Sequence, residues 1–172
     1  MSQLRAARAS ETDRLRAIIN AAAAAYRGAI PDDCWHTPYM SRAALADELA
    51  AGVRLCVATV DDAAVAVMGV QDRGAVALLR HAYVLPAAQR RGHGARLLAH
   101  CSRSSALPLL VGTWAAATWA IDFYRAHGFR LLDADSTERL LVRYWTVPAR
   151  QRAHSVVLAD ARWSPAGAAA GH

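Results

Sequence analysis

The spacing of apolar residues along the chain changes character near residue 54. Before that point apolar side chains recur at intervals of three and four residues, which predicts helices. One helix is predicted from Ser10 to Tyr26 and a second from Ser41 to about Gly52, because serine favours helix N-termini and glycine favours helix C-termini. A loop rich in proline and aromatic residues separates these helices. A short first strand is predicted over Leu4–Ala9.

From Arg54 to Leu85 the pattern is that of β-strands. The three strand segments are RLCVATV, AVAVMGVQ and AVALLRHAYVL, and short turns separate them. Such short turns permit hairpins and forbid crossovers, so the three strands are predicted to be antiparallel. A helix over Gly92–Ser104 and the buried strand LPLLVGTW follow. Because a strand-helix-strand crossover returns the chain in the same direction, the fourth and fifth strands are predicted to be parallel.

The last third of the chain adds one helix and two strand candidates. The segment AAATWAIDFYRAHGF has helical spacing and stops at Gly128, and the strand candidates are Leu140–Thr146 and Ser155–Leu158. The pattern predicts one α/β domain over residues 1–163, with a mixed, mostly antiparallel twisted sheet of about seven strands flanked by about four helices. The low-complexity tail over residues 164–172 is predicted to be disordered.

Composition narrows the class of protein. With 172 residues, 55% hydrophobic and 20% charged, the chain is typical of a single globular domain. No apolar stretch is long enough to cross a bilayer and the N-terminus lacks a signal peptide, so a cytoplasmic protein without a membrane partner is expected. Cys34, Cys56 and Cys101 are far apart and odd in number, which predicts neither a disulfide framework nor a metal site.

The formal net charge of +6 rests on arginine, because the sequence contains no lysine. Schiff-base chemistry and lysine-dependent phosphate loops are therefore excluded. Two explanations stay open: a GC-rich coding sequence, or arginines that face an anionic ligand. The arginines are scattered, acidic residues lie among them and no nucleic-acid recognition motif is present, so no nucleic-acid partner is expected.

A basic turn between a strand and a helix carries the strongest chemical signal. In AYVLPAAQRRGHGARLLAHC, residues Ala82–Cys101, the strand ends at Pro86 and two arginines precede Gly-His-Gly. Helix N-termini present unpaired N–H groups and a partial positive charge, so they bind phosphate without a dedicated side chain. Gly92 and Gly94 let the backbone approach a ligand closely. The alternative is an ordinary turn with solvated arginines, but the strand before it and the helix after it favour a diphosphate site.

Two motifs in this half of the chain resemble those of a known family. Gln89–Ala95 is similar to the Q/R-x-x-G-x-G/A acetyl-CoA signature of the GNAT acetyltransferase superfamily. AIDFYRAHGF resembles the A-x-x-F/L-Y-x-x-x-G-F block that follows at the expected distance. The order of strands and helices from Leu4 to Leu158 also resembles the GNAT fold, so the similarity covers nearly the whole chain except the tail.

The resemblance implies acetyl-CoA as co-substrate. Its pantetheine arm is expected along the fourth strand, and its diphosphate on the backbone amides of Arg91–Ala95. The implied binding residues are Ala82, Tyr83, Val84, Gln89, Arg90, Arg91, Gly92, His93, Gly94 and Ala95. One departure concerns Ala117, which stands where many relatives have a cofactor-binding asparagine; Thr113 and Thr118 are candidates to replace it, although a threonine near a helix start is more often a cap.

Acyl transfer to an amine needs a neutral nucleophile and a proton for the departing thiolate. The resemblance implies that Tyr124 is the general acid; without the motif, Tyr124 would be interpreted as a core aromatic. His81 is the predicted base, because an unperturbed histidine has a pKa of about 6.5. Asp72, the Asp32–Asp33 pair or a water chain are competing bases, and a purely structural His81 is an equal alternative.

The remaining aromatic residues suggest an acceptor pocket. Trp35, Tyr39 and Trp114 are predicted to bind the acceptor, whereas Trp119 is expected in the core. The predicted function is N-acetyltransfer from acetyl-CoA to a primary amine of a small molecule, or to a protein amino group, by direct attack in a ternary complex. Cys101 lies in a helix stripe and is not expected to form a covalent intermediate. The alternative is a non-catalytic acyl-CoA sensor, and the family resemblance also makes a homodimer possible.

Overall fold

A seven-stranded open sheet organises residues 2–166, the part of the chain that the computed structural model describes. The strands are β1 (Ser2–Ala6), β2 (Arg54–Val60), β3 (Ala63–Asp72), β4 (Ala77–Val84), β5 (Leu109–Trp114), β6 (Arg130–Leu131) and β7 (Ser155–Ala159). Their order in the sheet is β1-β2-β3-β4-β5-β7-β6. Every neighbouring pair is antiparallel except β4 and β5, which are parallel. The predicted mixed, mostly antiparallel sheet is therefore confirmed.

Six α-helices lie in the same described part of the chain. They are α1 (Thr12–Ala23), α2 (Arg42–Ala50), α3 (His93–Ser104), α4 (Thr118–Ala126), α5 (Ala134–Tyr144) and α6 (Ala149–Arg152). One face of the sheet packs against α3 and α4. The other face packs against α1 and α2 over β2 and β3, and against α5 over β5 and β7. Successive strand residues point to opposite faces, so the central strands are buried on both sides.

The helix predicted from Ser41 begins there because Ser41 caps its N-terminus. The Ser41 side chain accepts a hydrogen bond from the backbone N–H of Ala44 at 3.0 Å. The helix predicted over 92–104 is α3. The first helix continues after Ala23 as a 3-10 turn to Tyr26, the end that was predicted. The first strand ends at Ala6 rather than Ala9.

The strand predicted over Leu140–Thr146 is wrong, because most of this segment belongs to α5. Thr137, Leu140, Leu141 and Tyr144 are buried at helical spacing. A short apolar run does not distinguish a buried strand from a buried helix, and the helix cap lies upstream of the run. The proposed tail over 164–172 lies outside the described residues from position 167 onward.

A β-bulge in β4 separates this strand from β5. Val67 pairs with Tyr83 and Gly69 pairs with Arg80, so two residues of β4 oppose the single residue between them on β3. One of the two is His81, whose φ is 54°. Pairing between β4 and β5 ends at Leu79, and β4 continues to Val84 without β5. The sheet therefore opens on this side of β4.

Two further findings concern the described residues 2–166. None of their helices has both the length and the apolar character that a membrane span requires. They contain no group of three or more histidine, cysteine or acidic side chains arranged to hold a metal ion.

Replacing the cap of α5 tests the corrected assignment. Asp133 accepts hydrogen bonds from the backbone N–H and the hydroxyl of Ser136, both at 2.9 Å. We expect Asp133→Ala to lower the free energy of unfolding by about 1 kcal/mol, measured by urea denaturation. Asp135→Ala is the matched control, because Asp135 lies in the same first turn without capping it. Equal losses in the two variants would contradict the capping role.

Candidate functional site

A cavity of about 500 Å³ lies where β4 continues without β5. Residues from α1, β3, β4, the basic turn and α4 line it, and we call it the β4 cavity. The lining residues used below are Tyr26, Ala82, Tyr83, Val84, Gln89, Arg90, Gly94, Trp119, Phe123 and Tyr124. The cavity thus joins the predicted cofactor strand, the basic turn and the predicted general acid.

The unpaired edge of β4 presents backbone groups to this opening. Leu85 donates its N–H to Val65 on β3 at 2.9 Å. In an antiparallel pair the N–H and C=O of one residue point to one edge and those of the next residue to the other edge, so those of Val84 point away from β3. The Val84 carbonyl accepts a hydrogen bond from Gln89 Nε2 at 3.2 Å on that side. The edge can therefore accept an extended ligand as an added strand.

The basic turn delivers an uncapped helix N-terminus. Gly92 is the N-cap of α3 with a φ of 80°, and no side chain caps the helix. The first intrahelical bond runs from Arg96 N–H to the Gly92 carbonyl at 3.0 Å, so the preceding amides of the first turn have no intrahelical acceptor. Arg90 adds a guanidinium beside them and has a φ of 58°. Helix N-termini with free amides of this kind are able to bind phosphate groups.

The predicted cofactor residues divide into two groups. Ala82, Tyr83, Val84, Gln89, Arg90 and Gly94 line the β4 cavity, whereas Arg91, Gly92, His93 and Ala95 do not. A Cβ on Gly94 would lie 3.5 Å from the Phe123 ring and 3.7 Å from Val84. This glycine therefore lies where α3, α4 and β4 meet. The residues of the second group belong to the basic turn and to the first turn of α3.

The His93 side chain points away from the β4 cavity. It is buried, and its Nδ1 lies 3.3 Å from the Ser2 hydroxyl on β1. Burial lowers the pKa of His93, and the positive charges of Arg96 and Arg91 lower it further. A neutral imidazole is therefore favoured, and any contribution of His93 to anion binding comes from its backbone N–H.

Tyr124 has the environment of a proton donor. Its side chain is 4% exposed, lines the β4 cavity and packs edge-on against Phe123 at 5.2 Å between ring centroids. Burial raises the pKa of Tyr124, and the neighbouring Tyr26 and Cys101 raise it further. The phenol therefore stays protonated at neutral pH.

His81 lies in a second cavity. This cavity has a volume of about 510 Å³ and is lined by α2, β4 and the loops before α2 and after α5; we call it the loop cavity. His81 Nε2 lies 3.2 Å from Glu48 Oε2, both atoms are buried, and neither has another polar partner within the described chain. Arg80 binds the other oxygen of Glu48 at 2.7 Å.

The charge of Glu48 depends on these two neighbours. Burial alone would raise the pKa of Glu48, but the neighbouring His81 and Arg80 outweigh it, and the net shift is downward. Glu48 is therefore a carboxylate that lies beside the His81 ring. This arrangement is compatible with a base held by a second group, and equally with a structural ion pair.

Of the competing bases, only Asp33 lines the loop cavity, while Asp32 and Asp72 line neither large cavity. Asp33 is paired with Arg150, whose Nε lies 2.8 Å from its carboxylate. The hydrogen bond with Arg150 lowers the pKa of Asp33. Asp72 accepts a hydrogen bond from the backbone of Gly74 in the β3–β4 turn.

The predicted acceptor residues form one aromatic group. Tyr39 and Trp114 line the loop cavity, and Trp114 Nε1 donates to the Tyr39 hydroxyl at 3.2 Å. Trp35 does not line this cavity but stacks on Tyr39 with ring centroids 5.8 Å apart. The Arg27 guanidinium lies 5.7 Å from the Trp35 ring centroid. Trp35 therefore packs against Tyr39 outside the loop cavity.

Ala117 occupies an apolar position. It is fully buried in a cluster with Ile30 and Trp114, and it does not line the β4 cavity. Neither threonine considered as a replacement lines that cavity: Thr113 belongs to β5, and Thr118 is the exposed first residue of α4.

Trp119 and Tyr26 are among the residues of the β4 cavity that the sequence pattern did not predict. Trp119 was expected in the core, but it is 47% exposed and stacks on Tyr26 with ring centroids 6.0 Å apart. Tyr26 lies at the end of the first helical segment, and no local pattern in the sequence marks it as a site residue.

Comparisons with known proteins agree with this geometry. The model of the acetyltransferase (GNAT) domain family matches residues 51–131, which include the basic turn and Tyr124. No curated protein matches the sequence significantly. The predicted resemblance to the GNAT superfamily is confirmed by the family model and by the structural neighbours that follow.

Three solved structures share the fold. A GNAT-family acetyltransferase from Staphylococcus aureus Mu50 has a TM-score of 0.69 at 15% identity, with 93% of this chain and 98% of that chain covered. The PaiA N-acetyltransferase from Thermoplasma acidophilum, in complex with coenzyme A, has a TM-score of 0.70 at 14% identity over the same shares. The ribosomal-protein-S18-alanine N-acetyltransferase from Escherichia coli has a TM-score of 0.67 at 18% identity, with 93% of each chain covered.

The left-handed backbone at the head of α3 gives a direct test of the turn. We expect Gly92→Ala to lower the free energy of unfolding by about 1 to 2 kcal/mol in thermal or urea denaturation, because an L side chain is strained at this φ. A Cβ at Gly92 would meet no atom within 4 Å, so the loss arises from the backbone alone. Gly92→Asn is the matched control and should lose less, since asparagine tolerates this conformation. An unchanged free energy of unfolding in Gly92→Ala would contradict the observed geometry.

Proposed function

We propose that this chain, which carries a GNAT acetyltransferase domain and the GNAT fold, transfers an acetyl group from acetyl-CoA to a primary amine by direct attack in a ternary complex. One observation carries the proposal: the open edge of β4, the first turn of the uncapped helix α3 at Gly94 and the buried Tyr124 all border the β4 cavity. A small-molecule amine is the proposed acceptor.

Coenzyme A is proposed to bind along three features of the β4 cavity. The amides at the start of α3 and the Arg90 guanidinium would hold the diphosphate. The free edge of β4 over Ala82–Val84 would hold the pantetheine arm as an added strand, through the outward N–H and C=O of Val84. The lack of a side chain at Gly94 keeps the space between α3, α4 and β4 open. This binding mode requires no lysine and no metal.

The reaction then requires two proton transfers. The amine nitrogen forms a bond to the thioester carbon, the carbon–sulfur bond breaks, and the electron pair leaves on sulfur as a thiolate. Tyr124 is proposed to give its phenolic proton to that thiolate, because burial keeps the phenol neutral beforehand. The amine must lose a proton, and His81 in the loop cavity is the proposed base, with Glu48 as the group that orients its ring.

The two cavities suit this division of roles. The cofactor would enter the β4 cavity, and the amine would approach from the loop cavity, which contains His81 and the aromatic pair Tyr39 and Trp114. Tyr83 borders both cavities, so they adjoin beside β4. Thiol release from acetyl-CoA against a panel of amino acids, polyamines, aminoglycosides and peptides tests the reaction. Tight coenzyme A binding without thiol release from any amine would instead support the acyl-CoA sensor.

The acid role of Tyr124 predicts a specific kinetic defect. We expect Tyr124→Phe to lower kcat by about a hundredfold, because it removes a general acid while retaining the ring. The Kd for coenzyme A, measured by calorimetry, should stay within about twofold. Tyr144→Phe is the matched control, since Tyr144 is also buried but lies on α5 outside the β4 cavity. Full activity of Tyr124→Phe would remove this residue from the mechanism.

The base role of His81 predicts a loss of turnover. We expect His81→Asn to lower kcat, because it removes the proposed proton acceptor, while the Kd for coenzyme A, measured by calorimetry, stays within about twofold. Asparagine is chosen because it tolerates the positive φ at this position.

His127→Asn is the control for the histidine substitution, because His127 is exposed at the end of α4 and lines neither large cavity. An unchanged kcat in His81→Asn would assign His81 to structure alone.

A further inference from the structure

Three tyrosines separate the β4 cavity from the loop cavity. Tyr83 lines both cavities, Tyr26 lines the β4 cavity, and Tyr39 lines the loop cavity. They come from β4, from the end of the first helical segment and from the loop before α2. We call them the tyrosine wall.

Ring contacts and one hydrogen bond hold the tyrosine wall in place. The ring centroid of Tyr26 lies 5.5 Å from that of Tyr39 and 6.4 Å from that of Tyr83. Trp114 Nε1 donates a hydrogen bond to the Tyr39 hydroxyl at 3.2 Å. Rotating one ring out of the wall therefore loses these aromatic contacts.

The hydroxyls of Tyr26 and Tyr83 are neutral at physiological pH. Burial raises the pKa of Tyr26 to about 12, and Tyr39 contributes to the rise. Burial also raises the pKa of Tyr83 well above its usual value, with Tyr26 and Tyr39 contributing further. These two residues therefore present uncharged aromatic surface.

The wall lies beside the place proposed for the thioester. Tyr83 stands between Ala82 and Val84, the residues proposed to hold the pantetheine arm, and Tyr26 shares the β4 cavity with Tyr124. Trp119 stacks on the other side of Tyr26 and leaves that ring little freedom to move. An acyl group carried on coenzyme A would therefore meet the rings of Tyr26 and Tyr83 as its chain lengthens.

We propose that the tyrosine wall determines acyl-chain length, admitting an acetyl group and excluding longer chains, with Tyr83 as the principal specificity residue. This inference rests on the proposed use of acyl-CoA. Removing the Tyr83 ring would join the β4 cavity to the loop cavity, whose volume of about 510 Å³ gives room for a longer chain. Removing only the hydroxyl would leave the ring in place as an obstacle.

Calorimetric titration of the folded protein tests the proposal without an acceptor amine. Wild type is titrated with coenzyme A and with acetyl-, butyryl-, hexanoyl- and octanoyl-CoA. We expect the Kd for hexanoyl-CoA to exceed that for acetyl-CoA by at least about tenfold, because forcing extra methylenes against a packed wall is unfavourable. Tyr83→Ala should bring the two values within about threefold, whereas Tyr83→Phe, the matched control, should retain the wild-type ratio.

Tyr26→Ala is the second variant, and it serves as the test if circular dichroism shows that Tyr83→Ala does not fold. We expect Tyr26→Ala also to reduce the ratio of the Kd for hexanoyl-CoA to that for acetyl-CoA. If wild type binds acetyl-, butyryl-, hexanoyl- and octanoyl-CoA with equal affinity, the specificity role of the tyrosine wall is overturned. The proposed function is left intact by that result. A retained ratio in a folded Tyr83→Ala or Tyr26→Ala variant would also overturn the specificity role of the tyrosine wall. Absence of coenzyme A binding by folded wild type would overturn the proposed function, and the inference with it.

Discussion

The separation of β4 from β5 is the constraint on which the candidate site depends. A strand in the middle of a sheet normally has both edges paired, and β4 is paired on both edges only as far as Leu79. Beyond that residue it keeps β3 and loses β5, and the bulge at His81 lies at this transition. Unpaired peptide groups, a cavity and the N-terminus of α3 therefore occur together in an otherwise buried sheet.

The bulge also distributes side chains between the two cavities. By adding one residue to β4, it reverses the alternation of side chains, so His81 faces the loop cavity while Ala82 lies at the β4 cavity and Tyr83 borders both. Because Tyr83 lies on β4, this strand has two proposed roles. The backbone neighbours of Tyr83 would hold the pantetheine arm, and its ring would limit the acyl group that this arm carries.

Local patterns predicted the parts of the site that local chemistry builds. The turn before α3 was predicted because glycine, arginine and a strand–helix junction are contiguous in the sequence. The strands from Arg54 to Val84 were predicted because short turns determine their pairing. The apolar run beginning at Leu140 was misassigned, since its helical cap at Asp133 lies seven residues upstream.

Features that depend on long-range packing were not predictable in this way. The tyrosine wall joins residues 26, 39 and 83, and nothing in the sequence around any one of them marks the other two. Trp119 is exposed and stacks on Tyr26, a residue 93 positions earlier in the chain, which no local pattern predicts. The contact of His81 with Glu48 likewise depends on how α2 packs beside β4.

The comparison of coenzyme A with pantetheine tests the central claim most directly. Both molecules carry the arm that would pair with the edge of β4, but only coenzyme A carries the diphosphate that the amides of α3 would bind. Isothermal titration of the wild-type protein should show saturable binding of coenzyme A and binding of pantetheine weaker by at least about a hundredfold. Equal affinities, or no heat with coenzyme A while circular dichroism shows a folded protein, would contradict the account.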